Sequence, residues 1–432
     1  MKKLAKYIKP QLAFIVLSMA IKFVSTYLEL WIPSLMEKML RQETVVKGYR
    51  LIFLYGGLML LCAAFAWGLN LTANRMNAIS SGKITKAIRH DLFEKIQHLS
   101  ARQMDKLTIS SAESRLTSDT YNINQFLTRL QRTGIRSPIL LIGGIIMMLQ
   151  MDWQLSLILL AALPIISVSV FFITKKGRSL YAQQHKALDN VVQVVQENIT
   201  GIRVVKALSK TDYEKKRFDG VNTSLSEISQ SAGRVTSITG PVSAIVLNMG
   251  LTAVVVLGAY RVNSGHIESG VIIASLQYFV MILNSMTMVT RVFMMWSRCQ
   301  TATQRVWEVL EEPEDLQVMP AKVQPEENAP HIEFRDVSFS YTGVGKNLEN
   351  LSFRLEHGQT LGILGGTGAG KTTVLNLLMR LYEADEGQIL LDGRDIRTID
   401  KQELRQKFGI VFQNDFITEG DIAHNIRFFR DL

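Results

Sequence analysis

Four segments of this 432-residue chain, residues 51–74, 153–174, 235–260 and 269–290, each run 22 residues or more without Asp, Glu, Lys or Arg. A helix is the only single segment that satisfies its own backbone hydrogen bonds in lipid, so an apolar run of about 20 residues reads as a spanning helix. Two weaker segments complete a set of six. Residues 137–151 hold 15 uncharged positions, and residues 11–35 are interrupted by Lys22 and Glu29. The predicted spans are about 11–35, 51–74, 131–151, 153–174, 238–260 and 269–292. With 47% hydrophobic and 20% charged residues, most of the chain is too apolar to be disordered. A cleaved signal peptide ending at Ser18-Met19-Ala20 is the competing reading of the start, but the apolar run continues well past Ala20.

The net charge of +10 is unevenly placed: +13 falls in residues 1–330 and −3 in residues 331–432. A basic excess confined to the apolar part is a topology signal rather than a nucleic-acid surface, so no nucleic-acid partner is expected. Residues 75–132 carry ten Lys or Arg and residues 175–234 carry eleven, whereas residues 150–152 carry none and residues 261–268 a single Arg. The two long connections are therefore expected in the cytoplasm. Lys2, Lys3, Lys6 and Lys9 place the N-terminus there too, and six crossings return the C-terminal region to the same side.

Neither long connection reads as a loop. Apolar positions recur at three to four residue spacing, as Ile84, Ile88, Leu92, Ile96 and Leu99 in one and as Leu188, Val191, Val195, Ile199 and Ile202 in the other. They are predicted to be helices continuing out of the membrane. Cys62 and Cys299 are read as packing residues, since two cysteines in apolar surroundings make no disulfide framework. Lys22 and Glu29, seven residues apart on nearly one helical face, either pair with a neighbouring helix or line a wet cavity. Met281, Met286, Met288, Met294 and Met295 are read as helix packing, with an adaptable cavity wall as the alternative.

Four of the nine prolines and six acidic residues (Glu311, Glu312, Glu314, Asp315, Glu326, Glu327) fall within residues 311–330, which are predicted to form a solvated linker between a membrane domain (residues 1–310) and a soluble domain (residues 331–432). Strands are predicted at residues 331–339 and 350–355. Gly365-Gly366-Thr367-Gly368-Ala369-Gly370-Lys371-Thr372 fits the phosphate-loop pattern G-x-x-x-x-G-K-[ST] in full, between a predicted strand at 360–364 and a predicted helix at 373–381. Such a loop points backbone N–H groups and a helix N-terminus at phosphate. Lys371 would reach the β- and γ-phosphates, and the Thr372 hydroxyl would ligate Mg²⁺.

Taken together, the chain resembles an ABC exporter half-transporter, with an α-helical six-span membrane domain followed by the N-terminal part of an α/β P-loop NTPase domain. The resemblance runs over the whole chain. Phe339-Ser340-Tyr341 is similar to the strand whose tyrosine stacks on adenine, which makes Tyr341 a further expected ATP-binding residue, and Thr373, next after the loop, is expected to be another. Val411-Phe412-Gln413 resembles the Q-loop, whose glutamine touches Mg²⁺ and the attacking water. Ser114–Asp119 and residues 197–206 are similar to the family's two cytoplasmic loops.

What the resemblance implies is ATP-driven export of an unidentified substrate from a bacterial plasma membrane, by a multi-pass protein with both termini cytoplasmic. Two half-transporters, alike or different, would sandwich two ATP molecules. Lys371 and Gln413 are the expected catalytic residues, and ATP and Mg²⁺ the expected cofactors. The family's signature motif, Walker B carboxylates and switch histidine are absent up to Leu432, so the chain as written reads as a catalytically incomplete fragment, and His424 as a surface residue. Two readings of other classes remain: a subunit that holds ATP and completes a heterodimer without catalysing, and a channel or regulator gated by ATP.

Overall fold

The structure, a computed structural model, describes residues 2–41, 48–313, 316–320, 329–343, 345–411, 413 and 416–427. Phe412, the acidic residues Glu314, Asp315, Glu326 and Glu327, and the side chain of Met294 lie outside the described residues.

Short helical turns at residues 2–11 lead into α1 (Leu12–Met39), followed by α2 (Tyr49–His98), α3 (Ala101–Leu107), α4 (Ile109–Ser114), α5 (Thr120–Arg132), α6 (Arg136–Met151), α7 (Trp153–Thr200), α8 (Ile202–Ala207), α9 (Thr211–Ser237), α10 (Thr239–Asn263) and α11 (Ser269–Leu310). Among the described residues, six helical stretches are long and apolar enough to cross a membrane: Ala5–Met39, Tyr49–His98, Ile109–Met151, Trp153–Thr200, Thr211–Asn263 and Ser269–Val289. Each coincides with one of the six apolar runs. At 50 and 48 residues, α2 and α7 continue well beyond the length a bilayer needs, as the helical spacing of their apolar positions predicts. Ile84, Ile88 and Leu92 are buried, but Leu188, Val195, Ile199 and Ile202 are exposed, so the second stripe finds no cover within this chain's described residues.

The chain divides into two compact units, residues 1–87 with 121–303 and residues 88–120 with 304–432. In the first, Leu30, Leu140, Met148, Leu155, Leu159, Tyr278, Phe279 and Ile282 form the core. The two intramembrane charges resolve onto neighbouring helices. Lys22, buried on α1, donates to Asn70 Oδ1 at 2.5 Å and Asn74 Oδ1 at 3.3 Å on α2. Glu29 accepts from Arg136 Nη2 at 2.7 Å. Ser18 donating to Asn77 Oδ1 at 2.7 Å and Ser25 donating to the Ala66 carbonyl at 2.9 Å extend the same polar seam between α1 and α2. At the turn before α7, Asp152 caps the helix by accepting from the Leu155 N–H at 2.8 Å and pairs with Arg261 at 2.6 Å.

In the second unit β1 (Ile332–Phe339), β2 (Leu348–Leu355), β3 (Glu386–Leu391) and β4 (Arg394–Asp395) form an antiparallel sheet of order β2-β1-β3-β4. Helix α12 (Lys371–Leu378) covers a core of Phe334, Val337, Phe339, Val374, Leu377, Ile389 and Ile396; α13 (Lys401–Gln406) and α14 (Ile422–Arg427) follow. Two expectations are corrected here. Residues 360–364 form no strand: they pair with no strand of the described sheet, and Leu361, Ile363 and Leu364 are exposed. The linker is not wholly solvated either. Leu316 is buried, and Met319 N–H donates to the Arg397 carbonyl at 2.9 Å.

Glu333 on β1 is buried between two guanidinium groups, accepting from Arg335 Nη2 and from Arg354 Nε, each at 2.6 Å; Arg354 stands opposite it on β2. The Arg335 hydrogen bond, helped by Arg354 and opposed by burial, holds its carboxyl below the usual carboxylate range. A depressed carboxylate contributes stability above its unfolded pKa of about 4.3, lost as pH falls through the lower folded value. Thermal unfolding followed from neutral pH to below pH ~4 should therefore show an acid-side fall in midpoint that is shallower in Glu333→Gln. An identical slope in the two proteins would remove this pair from the account.

Candidate functional site

The loop at residues 365–370 follows residues 360–364 and turns into α12. Gly368 and Gly370 both have φ +86°, a conformation glycine adopts without steric penalty. At Gly370 space is a second constraint, because a Cβ would lie 2.7 Å from Leu348 Cδ2 and 2.9 Å from the Asn347 carbonyl oxygen. Ala369 N–H donates to the Gly366 carbonyl at 3.3 Å, tightening the turn, and Val374 N–H donates to the Gly370 carbonyl at 3.2 Å. Gly370 caps α12 without a side chain, which leaves first-turn N–H groups for an anion. Lys371 folds back so that Nζ donates to the carbonyls of Gly365 at 2.9 Å and Gly366 at 2.7 Å. The Lys371 ammonium thus lies against the backbone of the loop; a glycine loop and lysine at a helix start are the parts that bind a polyphosphate.

Thr372 is exposed, whereas Thr373 is buried. Tyr341 OH donates to Thr373 Oγ1 at 3.3 Å and accepts from Asn376 Nδ2 at 3.0 Å, which ties the end of β1 to the first two turns of α12. Its ring meets Phe339 and Tyr382 edge to face, with centroids 4.8 and 5.0 Å away. Gln413 stands exposed in a bend, with no hydrogen bond to another described residue. Hydrogen bonds therefore join Tyr341 to Thr373 and Lys371 to the loop, Thr372 follows Lys371 in the first turn of α12, and no hydrogen bond links Gln413 to them. His424 is half-buried on α14 beneath Gly420.

A cavity of about 800 Å³ opens in the first unit. Leu140, Leu251, Val255, Leu276, Val280, Met281 and Met288 give it apolar walls, while Arg136, Thr252, Gln277, Asn284 and Ser285 supply polar groups. Two of the five methionines near the sixth span, Met281 and Met288, thus face a cavity; Met281 and Met286 pack against the core.

Two family models divide the chain between them. Residues 12–286 match the one described as ABC transporter transmembrane region, and residues 348–426 match the one described as ABC transporter. The chain belongs to the ABC transporters. It is of the half-transporter type, a membrane domain fused to a nucleotide-binding domain. Among its relatives are the uncharacterized ABC transporter ATP-binding protein YfiB of Bacillus subtilis, 28% identical over 99% of this chain and 74% of that protein, and YfiC of the same organism, 32% identical over 82% of this chain and 59% of that one. A protein of Mycobacterium bovis named fatty acid ABC transporter ATP-binding/permease protein is 29% identical over 86% of this chain and 58% of its own length.

Sequence reasoning passed over one part of this ABC transporter, the contacts made by α3 within the second unit. Asp105 accepts from Tyr382 OH at 2.6 Å, Arg102 pairs with Asp385 at 3.7 Å, and Gln103 Nε2 donates to the Pro313 carbonyl at 2.6 Å. Burial and the Asp105 carboxylate raise the Tyr382 pKa, so the phenol stays a donor. Arg380, almost fully buried, donates to the Gln317 carbonyl at 2.7 Å and pairs with Glu383. The one legible signal was Ser100-x-x-Gln103, a capping box whose two reciprocal hydrogen bonds are both present.

Proposed function

We propose that this chain is one half of a dimeric exporter in which ATP, held at residues 365–373 with Lys371 on its β- and γ-phosphates and Mg²⁺ on Thr372, drives alternating access of the membrane cavity. In this reading residues 1–310 are the membrane domain, residues 311–330 the linker and residues 331–432 the nucleotide-binding part. Tyr341 supports the adenine and Gln413 reaches the Mg²⁺ when nucleotide closes the site. The observation that carries the reading is the phosphate loop itself: two left-handed glycines, an uncapped helix start and a lysine folded over them. The exposed apolar stripe of Leu188, Val195, Ile199 and Ile202 supports a second half-transporter as the partner. A cavity with one arginine and four neutral polar residues among apolar walls suits an amphiphile as cargo.

Orientation is tested first. Single cysteines at Ser111 and Ser209 should react with an impermeant thiol reagent only after cells are opened, and cysteines at Asp152 and His266 in intact cells. Labelling at Ser111 but not at Asp152 of intact cells inverts the orientation. Catalysis is tested by phosphate release in nanodiscs. A polypeptide of these 432 residues should bind ATP and not turn it over, and one carrying a signature segment, Walker B carboxylates and a switch histidine in addition should hydrolyse it. Turnover by the 432-residue form that depends on Lys371 contradicts the assignment of hydrolysis to elements outside these residues; no turnover by the longer form favours a non-catalytic partner subunit.

A further inference from the structure

Three metal-ligating side chains meet at one end of the sheet, and the ATP cycle has no use for them. The strand register brings them there. Ile332 on β1 stands opposite both Leu355 on β2 and Leu391 on β3. His331 directly precedes β1, Asp392 directly follows β3, and His357 lies two residues past β2. Two tight turns then fix the backbone. Asp392 and Gly393, with φ +49° and +73°, form the two-residue hairpin between β3 and β4. His357 sits in a turn closed by Gln359 N–H donating to the Glu356 carbonyl at 3.2 Å. Asp392 N–H donates to the His331 carbonyl at 2.9 Å, so two of the three residues are also joined through the main chain.

The side chains converge on one carboxylate oxygen. Asp392 Oδ1 lies 2.7 Å from His331 Nδ1 and 3.1 Å from His357 Nε2, with the two rings 4.2 Å apart between centroids. All three ligand atoms lie within 4.8 Å of one another.

We propose that His331, His357 and Asp392 form a binding site for a divalent cation of the zinc class. Two imidazole nitrogens and one carboxylate oxygen are the donor set such ions prefer, and three protein ligands leave a fourth position for water. Tetrahedral N and O ligands about 2.1 Å from zinc stand about 3.4 Å apart, so the distance from Asp392 Oδ1 needs to open by about 0.3 Å to His357 and by about 0.7 Å to His331, within the reach of side-chain rotation. His357 is 69% exposed, which gives the ion an entry path and its water a place. Lys407 Nζ lies 3.6 Å from Asp392 Oδ2; its charge opposes the cation but leaves Oδ1 to the rings. The phosphate loop packs at the Leu348 end of β2, the opposite end of the same strands. At about 3.3 Å per residue, the seven steps from Ile332 to Phe339 separate the ends by roughly 23 Å. The ion is thus distinct from the Mg²⁺ of the nucleotide, and by joining three strand ends it stabilises the folded sheet.

The test is a Co²⁺ titration of the full 432-residue chain in detergent, without nucleotide and without an oligohistidine tag, followed by visible absorption and then by displacement with Zn²⁺. One saturable set of the intense bands of a four- or five-coordinate site is expected, lost on adding one equivalent of Zn²⁺. His331→Ala, His357→Ala and Asp392→Asn should each weaken binding at least tenfold; Asn tolerates the left-handed turn at 392. His90→Ala is the control, because His90, Asp91 and Glu94 make a second such trio on α2, with His90 and Glu94 exposed. Thermal unfolding is the second readout: Zn²⁺ should raise the midpoint of the wild type and of His90→Ala, and not that of His357→Ala, whose exposed side chain is the least needed for folding. Absence of the bands, bands that survive both His331→Ala and His357→Ala, or loss of binding in His90→Ala alone would overturn the proposal.

Discussion

Replacing Arg305 by alanine should destabilise the second unit by about 3 kcal/mol, the lower end of what is lost when one partner of a buried ion pair is removed. Asp119 is fully buried and pairs with Arg305, while Arg115, one helical turn earlier, donates to the Arg305 carbonyl at 2.9 Å and pairs with Glu308 at 3.3 Å. Without Arg305 the Asp119 carboxylate keeps its desolvation and loses its counter-charge. Arg305 itself is 48% exposed, so water relieves part of that loss, which is why the lower figure is expected. Asp119→Asn in the Arg305→Ala background should recover most of the stability, since a neutral amide in that place leaves no buried charge. Denaturant or thermal unfolding of the two variants decides it: a single variant as stable as wild type, or a double variant no better than the single one, excludes the buried charge as the cause.

The second large effect is expected in the membrane unit, where Gly250→Leu should abolish most of the folded yield. Gly250 on α10 lies against Phe279 on α11 so closely that an ideal Cβ would stand 2.1 Å from the ring, and Phe279 is itself fully buried. Gly258, two turns further along α10, meets Ile272 in the same way at 2.8 Å. Small residues let helices approach within lipid, where packing replaces the hydrophobic driving force. Overpacking one such contact costs about 1–3 kcal/mol and more when the neighbour cannot move. Gly240, on the same helix with nothing within 4 Å of its Cβ position, is the matched control. Size-exclusion profiles in detergent should show Gly240→Leu monodisperse and Gly250→Leu aggregated; equal profiles would mean that α10 and α11 do not rely on this contact.

The parts of this fold that were legible in the sequence are those where one physical requirement dominates. Lipid leaves no choice for residues 51–74 or 153–174, and the loop at 365–372 demands glycine, lysine and a hydroxyl at fixed spacing, so both were readable from residue type alone. Partners across the chain were not. Nothing local in Lys22 pointed to Asn70 and Asn74, nor in Glu29 to Arg136, because those meetings are set by how helices pack. Residues 360–364 show the converse. Their apolar pattern reads as a strand, but a strand exists only when a neighbour completes its hydrogen bonds, and propensity carries no information about that neighbour. Tyr341 carried a local signal in Phe339-Ser340-Tyr341, whereas the Asp105 contact to Tyr382, 277 residues away in sequence, left no local trace.

The central claim is that the loop at residues 365–373 holds ATP, and equilibrium binding of Mg·ATP to the 432-residue protein in lipid nanodiscs tests it most directly. A charge-assisted hydrogen bond contributes about 1.5–3 kcal/mol, so removing the Lys371 ammonium should weaken binding about 10- to 100-fold. The account predicts saturable binding of one ATP per chain, weakened by that factor in Lys371→Ala while membrane insertion and expression stay at wild-type levels. Wild-type protein that is folded yet binds no ATP, or a Lys371→Ala variant that binds it as tightly as wild type, would contradict it.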